Sequence, residues 1–94
     1  MSSYTSCKAA LEAAVKVMSK EFVKRGIRVN AIAPACVDTE MVADAPFMSE
    51  EIISGAQPLG IIEPVYISYL VDFLISDKSK YMTGAVIPVS AGNI

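Results

Sequence analysis

Between residues 3 and 25 the apolar positions recur at helical spacing. Leu11, Ala14, Val15, Met18 and Phe22 stand three or four apart, while Lys16, Lys20 and Lys24 fall on a different face. The pattern predicts one amphipathic helix over 3–25. Lys24 and Arg25 suit the negative end of its dipole, and Gly26 can take the left-handed conformation that stops it. Ala9, Ala10, Ala13 and Ala14 leave flanks small enough for another helix to approach closely.

The period then changes. Ile27, Val29 and Ala31 alternate with Arg28 and Asn30, and Ile32 and Ala33 extend the apolar run to both faces before Pro34 halts it. This predicts a strand over 27–33 whose far end is covered on both sides, as in a parallel sheet flanked by helices. From Val37 to Glu63 no period dominates. A short helix is expected to start at Ser49, with Glu50 and Glu51 in its first turn. Loop-rich stretches of that length are usually functional. Pro64 opens a second helix at its first position, expected to carry Val65, Tyr69, Leu70, Phe73 and Leu74 toward the core and to end near Ser76. DKSKYMTG reads as a turn and AVIPV as a closing strand, which Pro88 places at a sheet edge because it has no backbone donor. Helix, strand, helix, strand predicts an α/β fold with parallel strands. The order opens on a helix with no strand before it, so the expectation is a chain cut in mid-pattern.

Composition sharpens that expectation. The chain has 94 residues, 53% of them hydrophobic and 19% charged, and its mean hydropathy is +0.46. Small domains have much surface to cover, so such an apolar short chain reads as part of a larger core. No charge-free apolar stretch reaches the roughly 18 to 20 residues of a membrane-spanning helix, and the N-terminus lacks the order of a signal peptide. A cytoplasmic protein without a membrane partner is expected. A net charge of -2 without a basic cluster argues against nucleic acid. There is no histidine, and Cys7 and Cys36 fit neither a disulfide framework nor a zinc site, so no metal site is expected.

The candidate chemistry lies in YTSCK. Tyr4 and Lys8 stand one helical turn apart, about 5 to 6 Å between Cβ atoms. A phenol with a pKa of about 10 is a poor base at neutral pH. A neighbouring ammonium favours the phenolate and makes the group usable for moving a proton on an alcohol or carbonyl. On spacing alone the pair reads first as a surface tyrosine resting on a lysine stem.

Context reverses that reading. YTSCKAAL, GIRVNAIAPACVDTEM and the run from PLGIIEP to YMTGAVIPVSAG, in this order, resemble the short-chain dehydrogenase/reductase family, most nearly members similar to 3-oxoacyl-acyl-carrier-protein reductase. The resemblance implies that residues 1–94 form the C-terminal part of a Rossmann-type, doubly wound parallel sheet, with the nucleotide-binding half absent. It implies NAD(P)-dependent carbonyl reductase or alcohol dehydrogenase chemistry, with NAD and NADP not distinguished. Tyr4 would be the acid/base; Lys8 would lower its pKa and hydrogen-bond the nicotinamide ribose. Pro34, Val37 and Thr39 would meet the nicotinamide and its carboxamide. A homo-oligomer, tetramer or dimer, is expected.

Ala35 stands where the family usually has glycine, and Ser90 and Ala91 where it has Asp-Gly. The family's glycine-rich loop, Asn-rich segment and catalytic serine have no counterpart in the chain. The stretch from Asp38 to Glu63, with Met41, Val42, Phe47, Met48, Ile52 and Ile53, would cover a small-molecule carbonyl or alcohol of apolar character, or else simply pack beneath a loop. A chain lacking the phosphate-binding loop is expected to be inactive alone. The competing reading is a non-catalytic truncated paralogue that acts as an oligomerisation or interaction module.

Overall fold

In a computed structural model, residues 3–35, 37 and 55–93 are described, with side chains of the first helix from Ser6 onward. Helix α1 spans Ser3–Phe22 and tightens into a 3-10 turn at Val23–Arg25 before Gly26, whose φ is 74°. The Gly26 N–H donates to Val23 O at 3.0 Å and the Ile27 N–H to Phe22 O at 3.2 Å. These bonds satisfy carbonyls that a helix end leaves open, and they form a Schellman stop. The predicted helix over 3–25 is therefore present, its last turn narrowed.

Its inward line differs from the predicted stripe. Val15 and Ser19 are buried and Lys8, Leu11 and Phe22 half-buried, whereas Ala14 and Met18 are exposed. Gly84 explains the rotation toward Ser19. Its φ is 77°, and a Cβ built on it would lie 2.9 Å from Ser19 Oγ, so the turn before the last strand approaches α1 too closely for a methionine.

Strands β1 (Ala31–Pro34) and β2 (Val86–Val89) pair in parallel, Ala31 opposite Val86 and Pro34 opposite Val89. β1 begins later than predicted because side chains interrupt the ladder before it, where one backbone bond remains, from the Gly84 N–H to Val29 O at 2.8 Å. The Val29 N–H donates to Thr83 Oγ1 at 3.0 Å, the Ala85 N–H to Asn30 Oδ1 at 3.1 Å, and Asn30 Nδ2 to Met82 O at 3.0 Å. Pro34 does not halt the pairing, since the Ala35 N–H still donates to Val89 O at 2.9 Å. In a parallel ladder alternate residues face a given neighbour. Ala85 and Val89 accept from β1 through their carbonyls, so Pro88, between them, turns its nitrogen to the other side. That is the edge placement expected of it.

Helix α2 spans Pro64–Ile75 with proline in its first turn. Ile67, Leu70 and Leu74 are half-buried, but Val65, Tyr69 and Phe73, expected inside, are exposed. The helix is apolar nearly all round, so its period does not single out an inward face. Arg28 fastens its end: Nη2 donates to Leu74 O at 2.8 Å, and Nη1 to Ser79 O at 2.8 Å and Met82 O at 3.1 Å. Buried Ser79 places its hydroxyl 2.8 Å from Leu74 O. Arg28 and Asn30, which alternation alone would send to solvent, tie β1 to residues some fifty positions later in the chain.

Candidate active site

α1 packs against both strands, and the stop at Gly26 reverses the chain. Lys8 precedes Gly26 by roughly 18 residues, about 27 Å of helix at 1.5 Å each. Pro34 follows Gly26 by roughly 8 residues, about 26 Å of extended chain. The first turns of α1 and the carboxyl end of β1 are therefore level. Open α/β sheets bind ligands at the carboxyl ends of their strands.

Tyr4 is placed by its backbone in the first turns of α1, one turn before Lys8. Lys8 is half-buried and in line with Leu11 and Val15. A lysine in such a place can lay its stem on the apolar face and keep its ammonium in water. Pro34 is exposed and Val37 half-buried where β1 ends. Thr39, together with Met41, Val42, Phe47, Met48, Ile52 and Ile53, lies outside the described residues. So does Cys36; Cys7 is a free, exposed thiol. The described residues contain no cluster of His, Cys, Asp and Glu fit to hold a metal ion, and no described helix is long and apolar enough to cross a membrane.

The same end gathers Val37 with residues to which the sequence alone gave no role in the site. Val37 bridges in parallel to buried Ile62, and the Leu59 N–H donates to Ala91 O at 2.9 Å. Gln57, also buried, donates from Nε2 to Gly60 O at 3.0 Å and accepts the Gly60 N–H on its backbone carbonyl at 2.8 Å. Ala91 and Gly92 both have positive φ, 52° and 89°, in a turn closed by the Asn93 N–H on Ser90 O. The carboxyl ends of β1 and β2 and the segment 57–62 are thus fastened to one another. The run from PLGIIEP to YMTGAVIPVSAG carries the family resemblance, but it assigns these residues no role in a site.

Parallel strands with a helix on them, a Tyr and a Lys one turn apart at their carboxyl ends, and turns gathered above describe part of a dinucleotide-linked α/β fold. Over residues 1–93 the sequence matches the family model described as enoyl-(acyl carrier protein) reductase, and the chain belongs to this family of short-chain dehydrogenases/reductases. It is 39% identical over 90 residues to the 3-oxoacyl-(acyl-carrier-protein) reductase FabG of Pseudomonas aeruginosa, covering 95% of this chain and 36% of that protein. It is 37% identical over 90 residues to the FabG of Thermotoga maritima, covering 95% of this chain and 37% of that protein. A solved structure of a 4-hydroxyisoleucine dehydrogenase complexed with NADH superposes with a TM-score of 0.78 at 31% identity, covering 92% of this chain and 37% of that one. The chain spans little more than a third of the length of the relatives it matches.

Proposed function

We propose that residues 1–94 are the C-terminal part of an NAD(P)-dependent oxidoreductase acting on a small carbonyl or alcohol, with Tyr4 as the proton donor and acceptor. The observation that carries this is the placement of positions 4 and 8 one turn apart on α1, level with the end of β1. The donor set suits a nicotinamide nucleotide. Lys8 offers a cation beside an apolar helix face, and Pro34 and Val37 offer a flat, largely apolar rim. When bound, the nicotinamide would supply or accept hydride at its C4.

The chain's own residues do the rest. The Tyr4 hydroxyl hydrogen-bonds the substrate oxygen and gives up its proton as that oxygen gains charge in reduction, or takes one back in oxidation. The Lys8 ammonium stabilises the phenolate left behind and donates to the nicotinamide ribose. Pro34, Val37 and Thr39 orient the ring and carboxamide. The residues of 38–63 are assigned, by resemblance, to contact with an apolar substrate. Residues 1–94 contain no G-x-G-x-x-G loop among their 5 glycines, so the chain alone binds no dinucleotide and is inactive. The active form is a cytoplasmic homo-oligomer.

The test uses a longer polypeptide that contains these residues and turns over substrate. Tyr4→Phe should abolish turnover and leave cofactor affinity nearly unchanged. Lys8→Met should lower both. A Tyr4→Phe protein with near-native kcat would overturn the assignment.

A further inference from the structure

Charge is unevenly divided in this molecule. Residues 20–30 and 76–85 hold Lys20, Lys24, Arg25, Arg28, Lys78 and Lys80 against Glu21 and Asp77, an excess of four positive charges in a chain whose net charge is -2. The two stretches are distant in sequence, but the fold joins them. Arg28 Nη1 donates to Ser79 O at 2.8 Å and to Met82 O at 3.1 Å, and the Gly84 N–H to Val29 O at 2.8 Å. Each stretch reverses the chain just before a strand, so together they form the amino-terminal end of the sheet, opposite Tyr4 and Lys8. Arg28 is turned inward on its acceptors, whereas the other five cations are exposed and make no ion pair with a carboxylate among the described residues. Two of them lie against rings: Arg25 Cζ stands 5.9 Å from the centre of the Phe22 ring, and Lys80 Nζ 5.2 Å from that of Tyr81. Tyr81 is 91% exposed, and Val23 and Ile27 are 49% and 48% exposed. An open tyrosine among free cations and aliphatic side chains is the makeup of a surface that meets lipid headgroups.

We propose that this end of the sheet is a reversible contact surface for an anionic lipid bilayer, with the five exposed cations among the headgroups and Tyr81 at their level. A cation beside an anionic leaflet strengthens binding about fivefold. Glu21 and Asp77 offset two of the five, and the three that remain predict a preference of about a hundredfold for anionic over neutral lipid. Two blunt turns suit a flat lipid surface better than a peptide, which needs a groove or a free sheet edge. Contact of this kind uses no spanning segment, so the lack of one among the described helices does not bear on it. The carboxyl end of the sheet then faces water, and the contact is independent of any catalytic role for Tyr4.

The experiment sediments the full chain with vesicles of mixed phosphatidylglycerol and phosphatidylcholine, and with vesicles of phosphatidylcholine alone. It is run at about 0.1 M salt, where charges more than about 10 Å away are largely screened. The mixed vesicles should bind about a hundredfold more tightly. Lys78→Gln with Lys80→Gln should weaken that binding about thirtyfold, and Lys24→Gln with Arg25→Gln should do the same. All four side chains are exposed, so the fold is not at stake. Leu59→Glu with Tyr66→Glu lowers the net charge equally but at exposed positions of the other end, and should bind within about twofold of wild type. Tyr81→Trp should bind as wild type does, its emission moving to the blue with the mixed vesicles only. Equal binding to both kinds of vesicle, or an equal loss in the two-lysine variant and in the Leu59 and Tyr66 variant, would overturn the proposal. So would tighter binding to polyglutamate than to vesicles at matched charge, which marks a site for an acidic protein instead.

Discussion

Gly84 and Ser19 form a contact whose energy can be worked out before it is measured. Replacing Gly84 by alanine would force a Cβ into a left-handed backbone at φ 77°, costing about 1 to 2 kcal/mol. The new carbon would also stand 2.9 Å from Ser19 Oγ, nearer than real Cβ contacts allow, and 3.5 Å from Ser19 Cβ. Overpacking of this kind costs about 1 to 3 kcal/mol, while the stiffer unfolded chain returns about 0.4 to 1 kcal/mol. The net penalty is about 2 to 3 kcal/mol. Ser19→Ala removes the clashing oxygen and leaves the ordinary contact at 3.5 Å. It also removes the hydroxyl's bond to Lys16 O at 2.9 Å, a back-bond that contributes little to helix stability. In the Ser19→Ala background Gly84→Ala should therefore cost about 1 kcal/mol, a coupling of about 1 to 2 kcal/mol between the two sites. Urea unfolding of the four proteins, as the chain itself or within a longer polypeptide containing it, gives this number directly. Equal penalties in both backgrounds would refute the close packing of α1 on the turn before β2.

The other predictions follow from the same geometry. Ala91→Gly should stabilise by about 0.5 to 1 kcal/mol because Ala91 sits at φ 52°, whereas Gly92→Ala should destabilise, since its Cβ would lie 3.1 Å from Pro58 Cδ at φ 89°. Thermal melts of the pair should therefore move in opposite directions. Asn30→Ala strands the Ala85 N–H, while Met82 O keeps its bond from Arg28 Nη1, and should cost about 1 to 2 kcal/mol, visible as faster amide exchange at Ala85. The chain alone, titrated calorimetrically with NADH and with NADPH, should show no saturable binding; micromolar affinity would mean that these residues form a complete nucleotide site.

Much of the backbone was legible because its punctuation is local. Gly26 and Pro64 mark helix ends through their own φ preferences, and both ends lie where those residues put them. Pro88 told of an edge for the same reason. What was not legible depends on partners far along the chain. The choice of Ser19 over Met18 is made by Gly84, and β1 starts at Ala31 because the Thr83 and Asn30 side chains take the Val29 and Ala85 N–H groups and interrupt the ladder there. For α2 the period carried no information, since apolar residues surround the axis; the inward face of Leu70 and Leu74 follows from where Arg28 holds its last carbonyls. The Tyr4–Lys8 spacing was readable, but only the lengths of α1 and the following extended chain bring it level with Pro34.

That levelness depends on polar residues at the opposite end of the molecule. Arg28 and Asn30 set where α2, its following turn and β2 lie relative to β1. Gly84, in that turn, rests against Ser19 and so sets how far α1 lies along the sheet. β2 then delivers Ala91 to Leu59, and Ile62 to Val37 closes the far end. A shift of one residue anywhere in this circuit would move a strand by about 3.3 Å and reverse the faces of its side chains. Proton transfer needs heavy atoms within about 2.6 to 3.2 Å, so the shift exceeds the whole tolerance of the chemistry. The residues proposed to form a site at one end of this sheet are therefore placed by hydrogen bonds made at the other.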